Sequence, residues 1–232
     1  MKKILFVFGT RPEAIKMAPV INAFKLEKSN FETVVAVTAQ HREMLDQVLT
    51  LFEIVPDYDL DLMAPNQTLE SLTSKVLIGI SDLLVEIKPN VVFVQGDTTT
   101  TFASALAGFY KMIPVAHIEA GLRTNNIYSP FPEEINRRMT TSMASFHFPP
   151  TKQSQQNLLN EGVDKDTIKI AGNTVIDALL TVSNKIDKET DKYDNYFSES
   201  YNIHFNHKKT ILVTGHRRES FGGGFENICE AI

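Results

Sequence analysis

The sequence predicts an α/β protein, a doubly wound parallel sheet of the Rossmann-like kind with helices on both faces. Short apolar runs alternate with longer amphipathic stretches along most of the chain. The runs read as buried strands and the stretches as helices, and that alternation is the signature of βαβ units. The polar, charge-bearing segments fall just past the ends of the apolar runs, where open parallel sheets bind ligands.

Ile4 to Phe8 form the first strand. Thr10 opens a helix, because Thr10-Arg11-Pro12-Glu13 fits a capping box and proline is tolerated in a first turn. Ala14, Ala18, Ile21 and Phe24 then recur at helical spacing. Val34 to Val37 form the second strand, followed by a helix with Met44, Leu45, Val48, Leu51 and Phe52 on one face. Asn66 is placed to cap the next helix, which carries Leu69, Leu72, Val76, Leu83 and Ile87. Val91 to Val94 is a strand, Thr98 to Tyr110 a helix, Pro114 to Ile118 a strand, Glu133 to Met143 a helix and Phe146 to Phe148 a strand.

From Lys185 to Lys209 the chain turns polar with little periodicity, which predicts a surface excursion or loose connection. Strand character resumes at Thr210 to Val213, followed by Gly215-His216-Arg217-Arg218-Glu219, and Ile232 lies within a helical stretch. With 232 residues, 43% of them hydrophobic, the chain suffices for one α/β domain and part of another. The expected division is a domain over 1–170, then a connection and the incomplete beginning of a second domain over 171–232.

Lys and Arg total 23 against 28 Asp and Glu, a net charge of −5. So acidic a chain is a poor general partner for nucleic acid or an anionic membrane, and any phosphate must be held by a local cluster of cations and N–H groups. The single cysteine, Cys229, excludes an internal disulfide and suggests the cytoplasm. The apolar run after Lys3 ends at Gly9, too short for a secretory signal, and nothing approaches the roughly 20 apolar residues of a membrane span.

Four segments would converge on one sheet edge: Gly9 to Lys16, Gly96-Asp97-Thr98, His117 to Arg123, and Pro132 to Arg137. Each residue has a structural reading of its own. Asp97 suits an N-cap of the helix at Thr98. Arg11 sits near the positive end of a helix dipole, a mild conflict that an anionic ligand would remove. Lys16 reads as a solvated residue one turn on. Glu119, after a buried strand, needs a partner, and Arg123 or Arg137 can supply one. Glu133 and Glu134 fit a helix's first turn. His117 reads as a hydrogen-bonded core histidine, and His216 as a turn residue. There is no G-x-G-x-x-G, no phosphate loop, no G-x-S-x-G elbow and no zinc spacing, so those familiar readings fail.

Taken in order, the segments Gly9 to Pro19, Thr38 to Leu49, Gln95 to Ala103, His117 to Thr124, Tyr128 to Arg138, Gly172 to Leu179 and Thr214 to Glu219 resemble the non-hydrolysing bacterial UDP-N-acetylglucosamine 2-epimerases. The resemblance implies a two-domain fold of the GT-B type with the active site in the cleft. It implies interconversion of UDP-GlcNAc and UDP-ManNAc by elimination and re-addition of UDP, feeding bacterial cell-surface polysaccharides. It implies no cofactor, and a homodimer, since relatives are commonly dimers. Carried over by position, Asp97, Glu119 and Glu133 are the acid/base and sugar-contacting carboxylates, and His216 faces the leaving phosphate. Arg11 and Lys16 lie at the nucleotide side, Arg137 orients the carboxylates, and Gln40 and His41 match a second, activating site. The family's chain continues through the rest of the second domain, so this chain by itself is expected to be nearly inactive. A hydrolysing epimerase, a UDP-sugar glycosyltransferase and a non-catalytic sugar-nucleotide module are the alternatives.

Overall fold

The computed structural model describes residues 1–38, 42–62, 67–205, 209–214 and 223–232. Two compact units divide them, Met1–Thr181 and Val182–Ile232. The first holds six strands, β1 Lys2–Phe8, β2 Phe31–Val37, β3 Tyr58–Asp59, β4 Val91–Gln95, β5 Val115–Ile118 and β6 Phe146–Phe148. All pair in parallel in the order β3-β2-β1-β4-β5-β6. The order steps outward from β1 to β3 on one side and from β4 to β6 on the other, the doubly wound pattern. The connecting helices are α1 Arg11–Leu26, α2 Arg42–Leu51, α3 Leu69–Ile87, α4 Thr99–Tyr110 and α5 Glu133–Met143, with α6 Lys152–Asn160 after β6.

Strand alternation divides the core in two. Leu5, Val7, Val92 and Val94 join Val76 and Ile80 of α3 and Ala103 of α4 in one aliphatic cluster. The opposite face is aromatic. Phe6 stacks on Phe93 at 5.0 Å between ring centroids, Phe93 on Phe148 at 6.1 Å, and Phe24 of α1 meets Phe6 edge-on at 5.5 Å. Each fully buried aromatic or aliphatic side chain contributes roughly 1.5–3 kcal/mol. Alternation carries the opposite identity through the same strands, so both sheet faces are filled, as a parallel sheet requires.

Several local expectations are corrected. Asn66 lies outside the described residues, and α3 is capped by Thr68, whose hydroxyl accepts the Ser71 N–H at 3.3 Å. Met44 is exposed while Leu45, Val48, Leu49 and Phe52 are buried, a rotation of the apolar stripe by part of a turn. Thr98, not Asp97, caps α4 by accepting the Thr101 N–H at 3.1 Å. Helix α6 follows a Thr151 cap that the apolar pattern does not announce.

The polar stretch after Lys185 is helical rather than loose, with α7 Val175–Lys188 and α8 Thr190–Tyr201. Tyr196, Phe197 and Tyr201 of α8 pack on one another, and Phe205 meets Phe197 with the rings 5.4 Å apart. These aromatics recur at helical spacing, a signal hidden by the polar residues between them. No strand forms at 210–213 among the described residues, and Ile211 and Leu212 are each 85% exposed. An apolar run becomes a strand only where a neighbour takes its N–H and C=O groups. The second unit also holds α9 Gly223–Ala231.

Candidate active site

β4 and β5 bring the central carboxylates to one sheet edge. The ladder pairs Gln95 with Ile118, and the Gly96 N–H donates to Ile118 O at 3.0 Å. Asp97 therefore stands two residues past the end of β4 and Glu119 one residue past the end of β5. Glu119 adopts a left-handed backbone, φ 64°, an uncommon state for a side chain with a Cβ that costs about 1–3 kcal/mol. Its own N–H still donates to Phe148 O at 3.0 Å, so the turn is anchored to β6 while the side chain swings over the edge.

Glu119 is not paired with Arg123 or Arg137, the partners expected from sequence. Its carboxylate accepts from Lys16 Nζ of α1 and from Gln95 Nε2 of β4. Lys16 thus points at Glu119 rather than into solvent. Arg123 pairs instead with Glu161, at 2.7 and 2.6 Å. Arg137 of α5 pairs with Asp97, and also with Glu134 at 3.4 Å. Asn136 Nδ2 donates to the Asp97 carbonyl at 2.9 Å, so one turn of α5 holds both the backbone and the side chain of that residue.

Glu133 begins α5 on the same side. Its Oε2 is buried with no hydrogen-bond partner among the described residues, and so is Arg137 Nε. One orphaned acceptor and one orphaned donor are costly to leave unmade and are what a polar ligand at this edge would satisfy. Arg11, at the first position of α1, is exposed and has no ion pair among the described residues. Gln40, His41 and His216 lie outside the described residues.

Histidine 117 behaves as core. It is fully buried, and Nε2–H donates to Gly96 O at 2.7 Å. Burial pushes its pKa down to about 4, against a smaller upward pull from the Gly96 carbonyl, so the neutral ring holds the Gly96 turn from beneath. Gly121, φ 85°, is needed where the chain leaves the edge, since a Cβ there would lie 2.2 Å from Ser154 O.

Sequence reasoning singled out neither Gln95 nor Asn136, and gave Glu134 only a place in a helix's first turn. Glu134 is buried and accepts the Thr124 N–H at 3.0 Å, the Asn125 N–H at 3.3 Å and Arg138 Nε at 3.0 Å. Burial opposes its charge, but those N–H donors and Arg138 outweigh burial and hold it below the usual carboxylate range. A polar residue ending an apolar strand, as Gln95 does, was the only available signal. A cavity of about 350 Å³ lined by Thr141, His147, Glu161 and Thr167 contains none of the expected residues. Converging charges at strand ends make the β4–β5 edge the better candidate.

Proteins of known sequence and structure carry the same plan. The UDP-N-acetylglucosamine 2-epimerase family model matches residues 24–232. The UDP-N-acetylglucosamine 2-epimerases of Yersinia pestis and Escherichia coli K12 are each 57% identical over 230 residues, taking in 99% of this chain and 61% of the relative. The crystal structure of the Neisseria meningitidis UDP-GlcNAc 2-epimerase bound to UDP-GlcNAc superposes with a TM-score of 0.90 at 51% identity, covering 99% of this chain and 62% of that one. A lipopolysaccharide outer core galactosyltransferase shares the fold alone, at 13% identity and a TM-score of 0.55. The sheet is the N-terminal Rossmann-like half of a GT-B-type fold. The chain spans about 61% of the length of these curated relatives. Matched by the family model over most of its length and identical to curated members at more than half of its positions, the protein belongs to the UDP-N-acetylglucosamine 2-epimerase family.

Proposed function

We propose that the whole protein interconverts UDP-GlcNAc and UDP-ManNAc and so supplies an amino-sugar nucleotide for bacterial cell-surface polysaccharides. The supporting observation is the set of carboxylates and cations gathered at one sheet edge, Asp97 with Arg137 and Glu119 with Lys16, beside the unpartnered Glu133 oxygen. Inversion at C2 of the sugar needs that kind of set. The C2 hydrogen is not next to a carbonyl, so its direct removal is very hard. In an elimination, a carboxylate takes the C2 proton as the C1–O bond breaks and the electron pair leaves with UDP, giving a C1=C2 double bond. Re-addition puts a proton on the opposite face of C2 and UDP back on C1. Proton removal and delivery on opposite faces call for separately placed acid/base groups.

In this reading Asp97, Glu119 and Glu133 share the acid/base and sugar-binding work. Arg11 lies beside the diphosphate, and the orphaned Arg137 Nε faces a substrate oxygen. Lys16 holds Glu119 at the nucleotide side, and His216 meets the leaving phosphate from the second domain. Gln40 and His41 belong to a second, activating sugar-nucleotide site. Residues 1–170 form the first domain, and 171–232 the connection and the beginning of the second. The chain spans about 61% of the length of its relatives, and the reading assigns full turnover to a protein of the relatives' length and little to this span by itself. We also propose a homodimer, supported by Ile78 and Val85 standing exposed on α3, Phe109 on α4 and Met112 just past it, and a cytoplasmic location that suits the free Cys229.

The test is incubation with UDP-GlcNAc in D2O without any acceptor, using this chain and one extended through the second domain. The extended protein should give UDP-ManNAc carrying deuterium at C2, and this chain at most about 1% of that rate. Asp97→Asn or Glu119→Gln should lower the extended protein's turnover by on the order of 10²–10⁴-fold while leaving binding within a few-fold. Free N-acetylmannosamine as the product, or equal rates from the two lengths, would overturn this reading.

A further inference from the structure

Glu13 is the one carboxylate of the first helix that nothing above uses, and it is among the most buried side chains of the molecule, 1% exposed. Its two oxygens serve different loops. Oε2 accepts the N–H of Gly9 at 3.0 Å and of Thr10 at 2.7 Å, both in the β1–α1 loop that carries Arg11. Oε1 accepts the hydroxyl of Thr98 at 2.6 Å, in the β4–α4 turn that carries Asp97, and lies 3.1 Å from the hydroxyl of Thr101 in the first turn of α4. The two loops are more than 80 residues apart in sequence and leave neighbouring strands, since β1 pairs with β4. No strand bond ties them beyond that pairing, which runs only from Ile4 with Val91 to Phe6 with Phe93.

A capping box would require only the bonds to the N-terminal backbone of α1. The hydroxyl contacts are extra. They also fix the N-cap of α4, because Thr98 accepts the Thr101 N–H and gives its own proton to Glu13. One planar, fully enclosed carboxyl group therefore sets the spacing between the backbone of Arg11's loop and the backbone next to Asp97. Neither oxygen faces solvent or a cation, so the group is unsuited to contact substrate itself.

We propose that Glu13 is a positioning residue that clamps the β1–α1 loop to the β4–α4 turn and so sets Arg11 and Asp97 at a fixed separation across the site. Its functional meaning rests on the reading of this edge as a sugar-nucleotide site, but the clamp itself is testable without substrate. The carboxyl's upward-shifted pKa, caused first by burial, accords with a group whose partners are neutral dipoles rather than charges.

Amide hydrogen exchange on this chain, followed by NMR with no nucleotide present, is the experiment. The Val92 N–H, bonded to Pro114 O in the sheet, reports global opening. Glu13→Ala should speed exchange at Gly9 and Thr10 at least tenfold relative to Val92. Glu13→Gln, which keeps an acceptor for the amides and a donor for the hydroxyls, should stay within about threefold of the parent. Thr98→Val, on the other loop, should speed Gly9 and Thr10 severalfold, and Thr98→Ser should restore them. In a Glu13→Ala background Thr98→Val should add nothing. Unchanged protection at Gly9 and Thr10 in Glu13→Ala, or an equal Thr98→Val effect with and without Glu13, would overturn the clamp. If Glu13→Ala fails to fold, the Thr98→Val and Thr98→Ser pair decides by the same criterion. A protein that passes these tests yet yields no UDP-ManNAc when extended would lose the epimerase reading and keep the clamp.

Discussion

Two buried carboxylates lie beneath the same sheet edge and use opposite physics. Glu13, under the loops after β1 and β4, is surrounded by two backbone amides and two hydroxyls. Glu134, under the loop after β5, faces two backbone amides and the guanidinium groups of Arg137 and Arg138. Both satisfy their oxygens, and both tie a loop to a helix start. Burial dominates at Glu13, whose pKa is raised, whereas amides and arginine win at Glu134, whose pKa is lowered. The difference teaches that hydrogen-bond count does not fix a buried acid's charge. What decides it is the balance of burial against donors: burial prevails over the neutral donors at Glu13, while at Glu134 the Thr124 amide, then Arg138 and the Asn125 amide, together outweigh it.

The comparison breaks most severely at Glu134. Glu134→Ala leaves Arg138 and the buried flank of Arg137 without their carboxylate and two amides without an acceptor, so it should destabilise the protein by about 3–5 kcal/mol in urea unfolding. Glu13→Ala removes no ion pair and should cost less, about 2–3 kcal/mol, from amides and hydroxyls left unmade. Finding Glu13→Ala the more damaging would mean that local dipoles, not ions, carry the edge.

Isosteric amides sharpen the contrast further, because they remove charge and keep shape. Glu134→Gln should cost about 2 kcal/mol at pH 7. Its native counterpart has a folded pKa below the unfolded 4.5, so the carboxylate's contribution is present above that value and fades as pH falls through the folded pKa. The gap between parent and Glu134→Gln should therefore close in acid. Glu13 has the reverse sign. Its folded pKa lies above 4.5, so its contribution is complete below 4.5 and is lost as pH rises through the folded value. Glu13→Gln should fall within about 1 kcal/mol of the parent and gain on it as pH rises. Urea midpoints followed from pH 8 down to well below the unfolded 4.5 read both trends, and parallel curves for the two variants would erase the distinction.

Much of the framework was legible before any coordinates. The apolar runs at Ile4 to Phe8 and Val91 to Val94, and the helix from Glu133 to Met143, are where periodicity placed them, because their pattern repeats locally. Glu13 was legible as half a capping box, since that motif spans four residues. Its hydroxyl partners were not, because Thr98 and Thr101 reach it only after β1 and β4 pair. Helix α8 escaped because aromatic residues hold it within the second unit, where no aliphatic stripe marks the turn.

The sequence by itself determined the strands β1, β2, β4, β5 and β6, the helices α1 to α5 between them, and which chemical groups stand at their ends. Composition and period are local properties that survive without knowledge of neighbours. Tertiary structure alone decided the pairings: Lys16 and Gln95 to Glu119, Arg137 to Asp97, Arg123 to Glu161, and Thr98 rather than Asp97 as a cap. A charge's partner is set by distance in space, and several donors of equal chemistry compete for each carboxylate until the sheet closes and the geometry selects one.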